Sequence, residues 1–483
     1  MKQCKIIVKD EVNVKIEGLE LAERKALMKL FEYEVPGARY LPAVRLGRWN
    51  GKVSYFSLGG SSYINLLPEI IPVLDNAGYD IDLEDTRDYT TTFEFAEVSE
   101  DTFKHKTWPK GHPIEGQPVV LRDYQINIVN NFLKNPQSLQ EIATGAGKTL
   151  MTATLSHSVE QYGRSIVIVP NKSLVTQTEA DYINLGLDVG VYFGDRKEYN
   201  KTHTICTWQS LNNMLKKTKE GEADIMDFIE GVVCVMVDEV HMAKADALKT
   251  LLTSVFAKVP IRWGLTGTIP KAKFEAQSLF VSLGPVISKL SASELQDQGV
   301  LAQCHVNIIQ LKDEVEFSNY QSELKHLLED THRLDAIAEL ILKIKETGNV
   351  LILVDRVNAG KELINRLPDS VFVSGATNMN ERKEEYDEVA TSTNKIIVAT
   401  YGVAAVGINI PRIFNLVLIE PGKSFVRVIQ SIGRGIRKAE DKDFVQIWDV
   451  TSSCKFAKRH LTQRKAFYKE ANYPFDLEKL TYR

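Results

Sequence analysis

The chain has 483 residues, of which 44 % are hydrophobic, 25 % charged and 8 % aromatic, and its formal net charge is −4. At roughly 100–200 residues per domain this is a globular chain of two to four domains, and the composition excludes collagen-like, coiled-coil and disordered polymers. The acidic balance also excludes a histone-like polycation, so nucleic-acid contacts would have to come from local basic patches.

The start, Met-Lys-Gln-Cys-Lys-Ile-Ile-Val-Lys-Asp, carries too many charges for a signal peptide. The longest apolar runs, such as Val232–Val237, are too short to cross a bilayer. Five scattered cysteines (Cys4, Cys206, Cys234, Cys304 and Cys454) form neither a C-x-x-C pair nor a zinc spacing. The expectation is an intracellular protein with reduced thiols and no membrane association.

Two short strands, Lys5–Val8 and Val12–Ile16, flank the turn at Lys9–Glu11. Helical spacing follows over Leu19–Phe31, strand alternation over Lys52–Phe56, and a second helix over Leu66–Asn76 that Gly78 ends. Residues 1–97 therefore read as a small α+β domain. Residues 98–118 are polar and rich in Pro and Gly, the pattern of a linker. Beyond them the pattern changes to continuous Val/Ile/Leu strands alternating with amphipathic helices. A first series is Leu139–Ile142, Ile166–Val169, Thr204–Thr207, Val232–Val237 and Arg262–Leu265. A second is Val350–Val354, Val371–Val373, Lys395–Ala399, Leu416–Ile419 and Phe444–Trp448. Such strands belong in parallel sheets covered on both faces. Two α/β domains are expected, 119–304 and 305–483, joined near 300–312.

Ile142-Ala-Thr-Gly-Ala-Gly-Lys-Thr149 follows a strand and opens a helix predicted over Leu150–Tyr162. Glycines let the backbone curl so that its N–H groups point at phosphate oxygens, and the helix N-terminus adds favourable potential. Lys148 would reach the β- and γ-phosphates and Thr149 would ligate Mg²⁺. Ile142 departs from the usual small first residue, and alone the stretch could be an ordinary strand-to-helix turn. Asp238-Glu-Val-His241 stands directly after the most hydrophobic strand of the chain. There Asp238 would hold the metal and Glu239 would deprotonate the attacking water; a lone Asp could equally be a helix cap. In Gln430-Ser-Ile-Gly-Arg-Gly-Ile-Arg437, Arg434 and Arg437 share a helix face. They suit arginine fingers aimed at a γ-phosphate, or else a solvated basic turn.

Together these segments resemble the motifs of superfamily 2 helicases, and the order is completed by others. Leu121-Arg-Asp-Tyr-Gln125 resembles the adenine-reading motif, Val169–Gln177 motif Ia, and Thr207–Leu211 motif Ic. Leu265-Thr-Gly-Thr268 resembles motif III, Leu351–Arg356 motif IV, Thr400–Pro411 motif V, and Gln430–Arg437 motif VI. The resemblance implies two tandem RecA-like parallel-sheet domains behind the small α+β domain, with ATP and Mg²⁺ as cofactors. It implies nucleotide contacts at Arg122, Gln125, Thr144, Gly145, Ala146, Gly147, Lys148, Thr149, Gly407 and Gln430. It further implies coupling roles for His241, Thr266 and Thr268, and a nucleic-acid path over Lys172, Ser173, Thr207, Gln209, Arg356 and Thr400. Arg39-Tyr-Leu-Pro and Arg45-Leu-Gly-Arg-Trp-Asn-Gly-Lys52 resemble the first domain of the UvsW family of phage helicases. That family implies 3′–5′ unwinding and branch migration of forks and junctions, in the cytoplasm of a bacterial host.

Charge is uneven along the chain. Val35–Pro68 holds four basic residues and no acid, interleaved with Tyr40, Trp49, Tyr55, Phe56 and Tyr63. Val450–Lys469 holds six basic residues and no acid. Basic side chains neutralise phosphates and exposed aromatics stack on bases, although a core hairpin and a solvated helix face would carry the same residues. Arg45, Arg48, Trp49 and Lys52, beside Gly47 and Gly51, are expected to project as a DNA-contacting loop. The reading is an ATP-dependent helicase on branched DNA, monomeric or otherwise. Rival readings are an RNA helicase, a double-strand translocase and an ATP-gated clamp.

Overall fold

The computed structural model of the protein describes residues 2–88, 91–110, 112, 114–221, 224–240, 245–375, 377, 379–407, 412–422 and 442–482. The chain forms two compact units, one of residues 1–110, 115–142 and 149–289, the other of 111–114, 143–148 and 290–483.

The first unit opens with an α+β layer. Its strands are β1 (Lys2–Val8), β2 (Asn13–Glu17), β3 (Glu32–Glu34), β4 (Lys52–Ser54), β5 (Ser61–Tyr63) and β6 (Tyr79–Asp85). Four make a sheet in the order β5-β2-β1-β6, and β3 pairs with β4 in a separate ribbon. Alternation in β1 and β2 turns Cys4, Ile6 and Ile16 inward against Leu27, Ile70 and Leu74 of the helices Leu21–Leu30 and Leu67–Asn76. This core does not end at the domain edge. Phe274 and Val281, from the helix Lys273–Leu283, belong to the same cluster.

Polar contacts fasten the same junction. The Tyr55 hydroxyl donates to Phe274 O (2.9 Å) and lies 2.5 Å from Ser278 Oγ. Asn65 donates to Phe280 O and Asn13 to Thr253 O. Lys249 Nζ sits 4.6 Å from the centre of the Tyr55 ring. The described residues of 98–118 carry no helix or strand but are held down. Val98 and Asn130 exchange two hydrogen bonds, Phe103 is buried against His157, and Thr107 bridges to Pro118.

The larger sheet of this unit contains β7 (Gln137–Ile142), β8 (Arg164–Val169), β9 (Val189–Phe193), β10 (Arg196–Lys197), β11 (His203–Thr207), β12 (Val232–Val237), β13 (Ile261–Thr266) and β14 (Val286–Leu290). Their order is β10-β9-β11-β8-β12-β13-β7-β14. From β9 to β7 every pairing is parallel. Every residue of β11 and β13 is buried, His203 and Arg262 included, as befits strands covered on both faces. One buried charge is answered: Arg262 of β13 donates to the carbonyls of Leu252, Phe256 and Ser282, at the ends of two helical segments. Burial pulls its guanidinium down to about 10.

The second unit is built on β15 (Gln303–Leu311), β16 (Val350–Val354), β17 (Ser370–Val373), β18 (Ile396–Thr400), β19 (Asn415–Ile419), β20 (Phe444–Ser452) and β21 (Phe475–Leu480). All seven are parallel, in the order β17-β18-β16-β19-β20-β15-β21. Residues 303–311, expected to hold the joint between domains, are thus a strand inside this sheet. The polar residues that obscured it serve the pairing: Asn307 donates to Gln446 Oε1 of β20. Arg333 is fully buried between Asp313 (3.2 Å) and Glu420 (2.7 Å), and Arg464 is buried on Asp449 (2.8 Å). Removing one partner of such a pair would strand a buried charge.

Among the described residues no helix is long and apolar enough to cross a membrane. All five cysteines are buried free thiols.

Candidate functional site

β7 and β12 run parallel in one sheet with only β13 between them, so the segments that follow both leave the same edge. After β7 the chain turns through 143–147 into the helix Lys148–Val159. Gly145 has φ +94° and Gly147 φ +80°. A Cβ at Gly145 would lie 2.6 Å from Leu301 Cδ2, so both the backbone sign and the close approach require glycine there. Ala146 is buried, Thr144, Lys148 and Thr149 are half-buried, and Gly147 is exposed.

After β12, Asp238 is fixed by donating its N–H to Ile168 O, and its carboxylate accepts from Glu239 N at 2.9 Å. Glu239 is buried and sits at φ +50°, a conformation that costs a non-glycine residue free energy and recurs where function needs it. The next edge position belongs to β13. Thr266 Oγ1 donates to Thr268 O and accepts from Thr268 N, so Leu265–Thr268 folds back on itself. Ile269 N then donates to Glu141 of β7, which ties this turn to the strand that carries the glycine loop. A glycine turn that opens a helix, the Lys148 ammonium, the Thr149 hydroxyl and the carboxylates of Asp238 and Glu239 are group types that suit a metal-bound triphosphate.

Other expected contacts are positioned as follows. Gln125 is buried in the first turn of the helix Asp123–Lys134, and its Oε1 accepts from Arg122 N. Arg122 also donates to the Tyr124 hydroxyl. Lys172 is exposed and Ser173 half-buried in the first turn of Lys172–Asn184, which Asn171 caps. Thr207 is buried and caps the next helix by accepting from Ser210 N, whereas Gln209 is exposed. Arg356 donates to Gln321, and Thr400 accepts from Val403 N. Gly407 ends the helix Tyr401–Gly407. His241, Gln430, Arg434 and Arg437 lie outside the described residues.

In the first domain Gly47 and Gly51 take φ +67° and +77°, so the expected turns are present. Arg45 and Arg48 are exposed, and Lys52 is exposed while pairing with Glu32 at 3.3 Å. Trp49 is half-buried and its indole donates to Lys52 O. Two of the interleaved aromatics, Tyr55 and Phe56, are core residues. Tyr40 is 60 % exposed, and Leu41 and Leu46 are exposed beside it. Sequence reasoning missed the fastening role of Tyr55 and Lys249, because their partners are far away in the chain: Tyr55 and Ser278 are separated by 223 positions.

Two family models match the chain. The model for the res subunit of type III restriction enzymes covers residues 118–271, and the model for the helicase conserved C-terminal domain covers residues 332–439. The chain belongs to the superfamily 2 helicases. Among its relatives is the ATP-dependent DNA helicase uvsW of Enterobacteria phage T4, 25 % identical over 92 % of this chain and 90 % of that protein. Another is the DNA 3′–5′ helicase XPB of Kineococcus radiotolerans, 23 % identical over 74 % of this chain and 64 % of that protein. In fold, the helicase is similar to a fragment of a putative HsdR subunit of a type I restriction enzyme from Vibrio vulnificus YJ016. That likeness has a TM-score of 0.56 at 17 % identity, over 97 % of this chain and 85 % of that one. The helicase is therefore an ATP-hydrolysing enzyme with two RecA-like motor domains and a small α+β domain in front of them.

Proposed function

We propose that this helicase acts on DNA, moves 3′–5′, and unwinds or branch-migrates forks and junctions inside the cell. Both named relatives are DNA helicases, and one is a 3′–5′ enzyme. The observation that carries the branched-substrate reading is the 38–52 segment. It projects two exposed arginines, Arg45 and Arg48, next to the exposed apolar side chains of Tyr40, Leu41 and Leu46. Cations hold a phosphate backbone while apolar and aromatic groups lie against an opened base pair. The domain that bears them is fastened to the helix just after Leu265–Thr268, so a grip on the branch would move with the first motor domain.

The domain limits we assign are 1–97, 98–118, 119–304 and 305–483. Lys148 and the loop amides would hold the β- and γ-phosphates, and Gln125 with Arg122 would read the adenine. Glu239 would take the proton of the attacking water, and Arg434 and Arg437 would neutralise charge spreading over the transferred phosphoryl. A magnesium ion held by Thr149 and Asp238 would supply further positive charge on the phosphate oxygens. Lys172, Ser173, Gln209 and Arg356 would track one strand through its backbone, without reading sequence. Thr207 and Thr400 spend their hydroxyls on local caps and would contribute mainly by shaping that track.

The test is a panel of forks, four-way junctions and tailed duplexes of DNA and RNA, scored for ATP-dependent unwinding by the wild type and by Arg45→Ala/Arg48→Ala. The expected result is junction unwinding by the wild type on DNA, and its loss in the double variant with ATPase on saturating single strands nearly unchanged. Equal junction unwinding by both proteins would refute a role for the projecting segment. Preference for RNA would refute the DNA assignment.

A further inference from the structure

The basic stretch near the C-terminus folds into the helix Lys455–Glu470, and the fold sorts its six cations into two kinds. Arg464 turns inward and is consumed by Asp449. Lys455, Lys458, Arg459 and Lys469 are exposed and Lys465 is half-exposed. Their spacing, with Thr462 and Ala466 between, places them on one helical face. From Lys455 to Lys469 that face is about 21 Å long at 1.5 Å per residue. Among the described residues none of these five cations has an ion-pair partner. The amides at the start of the helix are already satisfied, because Glu323 accepts from Phe456 N and Ala457 N. Any attraction for an anion therefore comes from the side-chain face.

The neighbouring flank of this helix is joined to a residue proposed for the nucleic-acid track. Arg356 donates to Gln321 (3.2 Å). The adjacent Tyr320 stands edge-on to His460 at 4.7 Å and beside Phe456 at 6.4 Å. A groove of about 720 Å³ runs along the start of the helix, with Lys455, Lys458, Arg459 and Thr462 on the helix side and Glu314 and Glu316 on the other. Glu314 is paired with Lys312. Glu314 and Glu316 keep a polyanion off the groove floor, so a phosphate backbone would meet Lys455, Lys458 and Arg459 at the rim, where they are exposed.

We infer that the Lys455–Lys469 face is a second phosphate-backbone contact for the nucleic acid, on the same domain as Arg356. This rests on the reading of the chain as a nucleic-acid motor. Five free cations over about 21 Å match the backbone charge density of a nucleic-acid strand, which carries a phosphate every 3.4 Å in duplex. None of the five belongs to the ATP machinery.

The experiment is a salt titration of binding to a tailed DNA duplex, with nucleic-acid-stimulated ATPase measured alongside. It uses the full chain, Lys455→Ala/Lys458→Ala/Arg459→Ala, and the charge-keeping Lys455→Arg/Lys458→Arg/Arg459→Lys. Each lost phosphate contact removes about 0.7 (single strand) to 0.9 (duplex) from the slope of log K against log salt, so the alanine variant should lose about 2–3. Its affinity at 0.1 M salt should fall on the order of 10- to 100-fold. Its turnover at saturating DNA should be unchanged, and the charge-keeping variant should bind like the wild type. An unchanged slope in the alanine variant overturns the inference, as it would if the face served an acidic protein. Failure of the charge-keeping variant to restore binding overturns it too, since the loss would then be one of folding. A wild type whose ATPase ignores every nucleic acid would instead overturn the motor reading beneath it.

Discussion

Tyr55→Phe isolates the fastening between the first domain and the motor. The Tyr55 side chain is 1 % exposed, and its hydroxyl donates to Phe274 O while lying 2.5 Å from Ser278 Oγ. Phenylalanine keeps the ring, its contact with Lys249 and its packing on Phe274, and removes only the oxygen. A buried carbonyl and a buried hydroxyl then lose a partner, which costs about 1–3 kcal/mol. Because the chain has several domains, a single unfolding free energy is ill-defined and a local measurement is preferable. Amide exchange in 2–85 and 273–283 should speed up about 5- to 150-fold, the Boltzmann equivalent of that cost. Exchange in β16–β20 should stay unchanged. The effect should hold across neutral and mildly alkaline pH, because burial pushes the hydroxyl well above tyrosine's ordinary range. Ser278→Ala should be less than additive with Tyr55→Phe, since both remove one contact. Unaltered exchange in both segments would refute the view that this hydroxyl holds the two bodies together.

Four further outcomes are expected. Glu239→Gln should bind ATP normally and lose about 10²- to 10⁴-fold in turnover, read by equilibrium binding and steady-state ATPase, because an amide cannot take the proton. Gly145→Ala should weaken ATP binding at least about tenfold, and adding Leu301→Ala should not restore it; removing Leu301 relieves the 2.6 Å clash but leaves φ at +94°, which costs roughly 1–2 kcal/mol. Asp181 is pushed up to about 6 by burial, above its ordinary 3.8. The stability it contributes is complete below pH 3.8 and is lost as the pH rises through 6. Asp181→Asn should therefore raise the melting temperature at pH 7–8 and leave it unchanged near pH 4. Arg333→Met should destabilise the second unit severely, seen as early melting by calorimetry, because Asp313 and Glu420 would be left buried without their cation.

Much of the architecture was legible because central parallel strands have no polar face. Val232–Val237 and Val350–Val354 announce themselves by composition alone. β15 hid because its His305, Asn307 and Gln310 break the apolar run, and β21 because an edge strand tolerates exposed charge. The glycine turn after β7 and the two carboxylates after β12 were legible from spacing, since the residues that make them are adjacent in the chain. The aromatics of 35–68 were not: Tyr40 and Tyr55 look alike in the sequence, yet one faces solvent and the other lies under a helix more than two hundred residues away. Likewise nothing local marks Arg464 as inward and Lys465 as outward until the helix phase is set by Leu461 and Tyr468.

The shared core between the first domain and the helix Lys273–Leu283 sets how the enzyme can be divided. A shortened chain beginning at residue 119 would keep every residue expected to touch the nucleotide. It would also turn Phe274 and Val281, now buried, into surface, along with the half-buried Phe280. A patch of that kind promotes self-association. The motor is thus not a detachable cassette: its solubility depends on the accessory domain, and shuffling that domain between enzymes would require transplanting the 273–283 helix surface along with it.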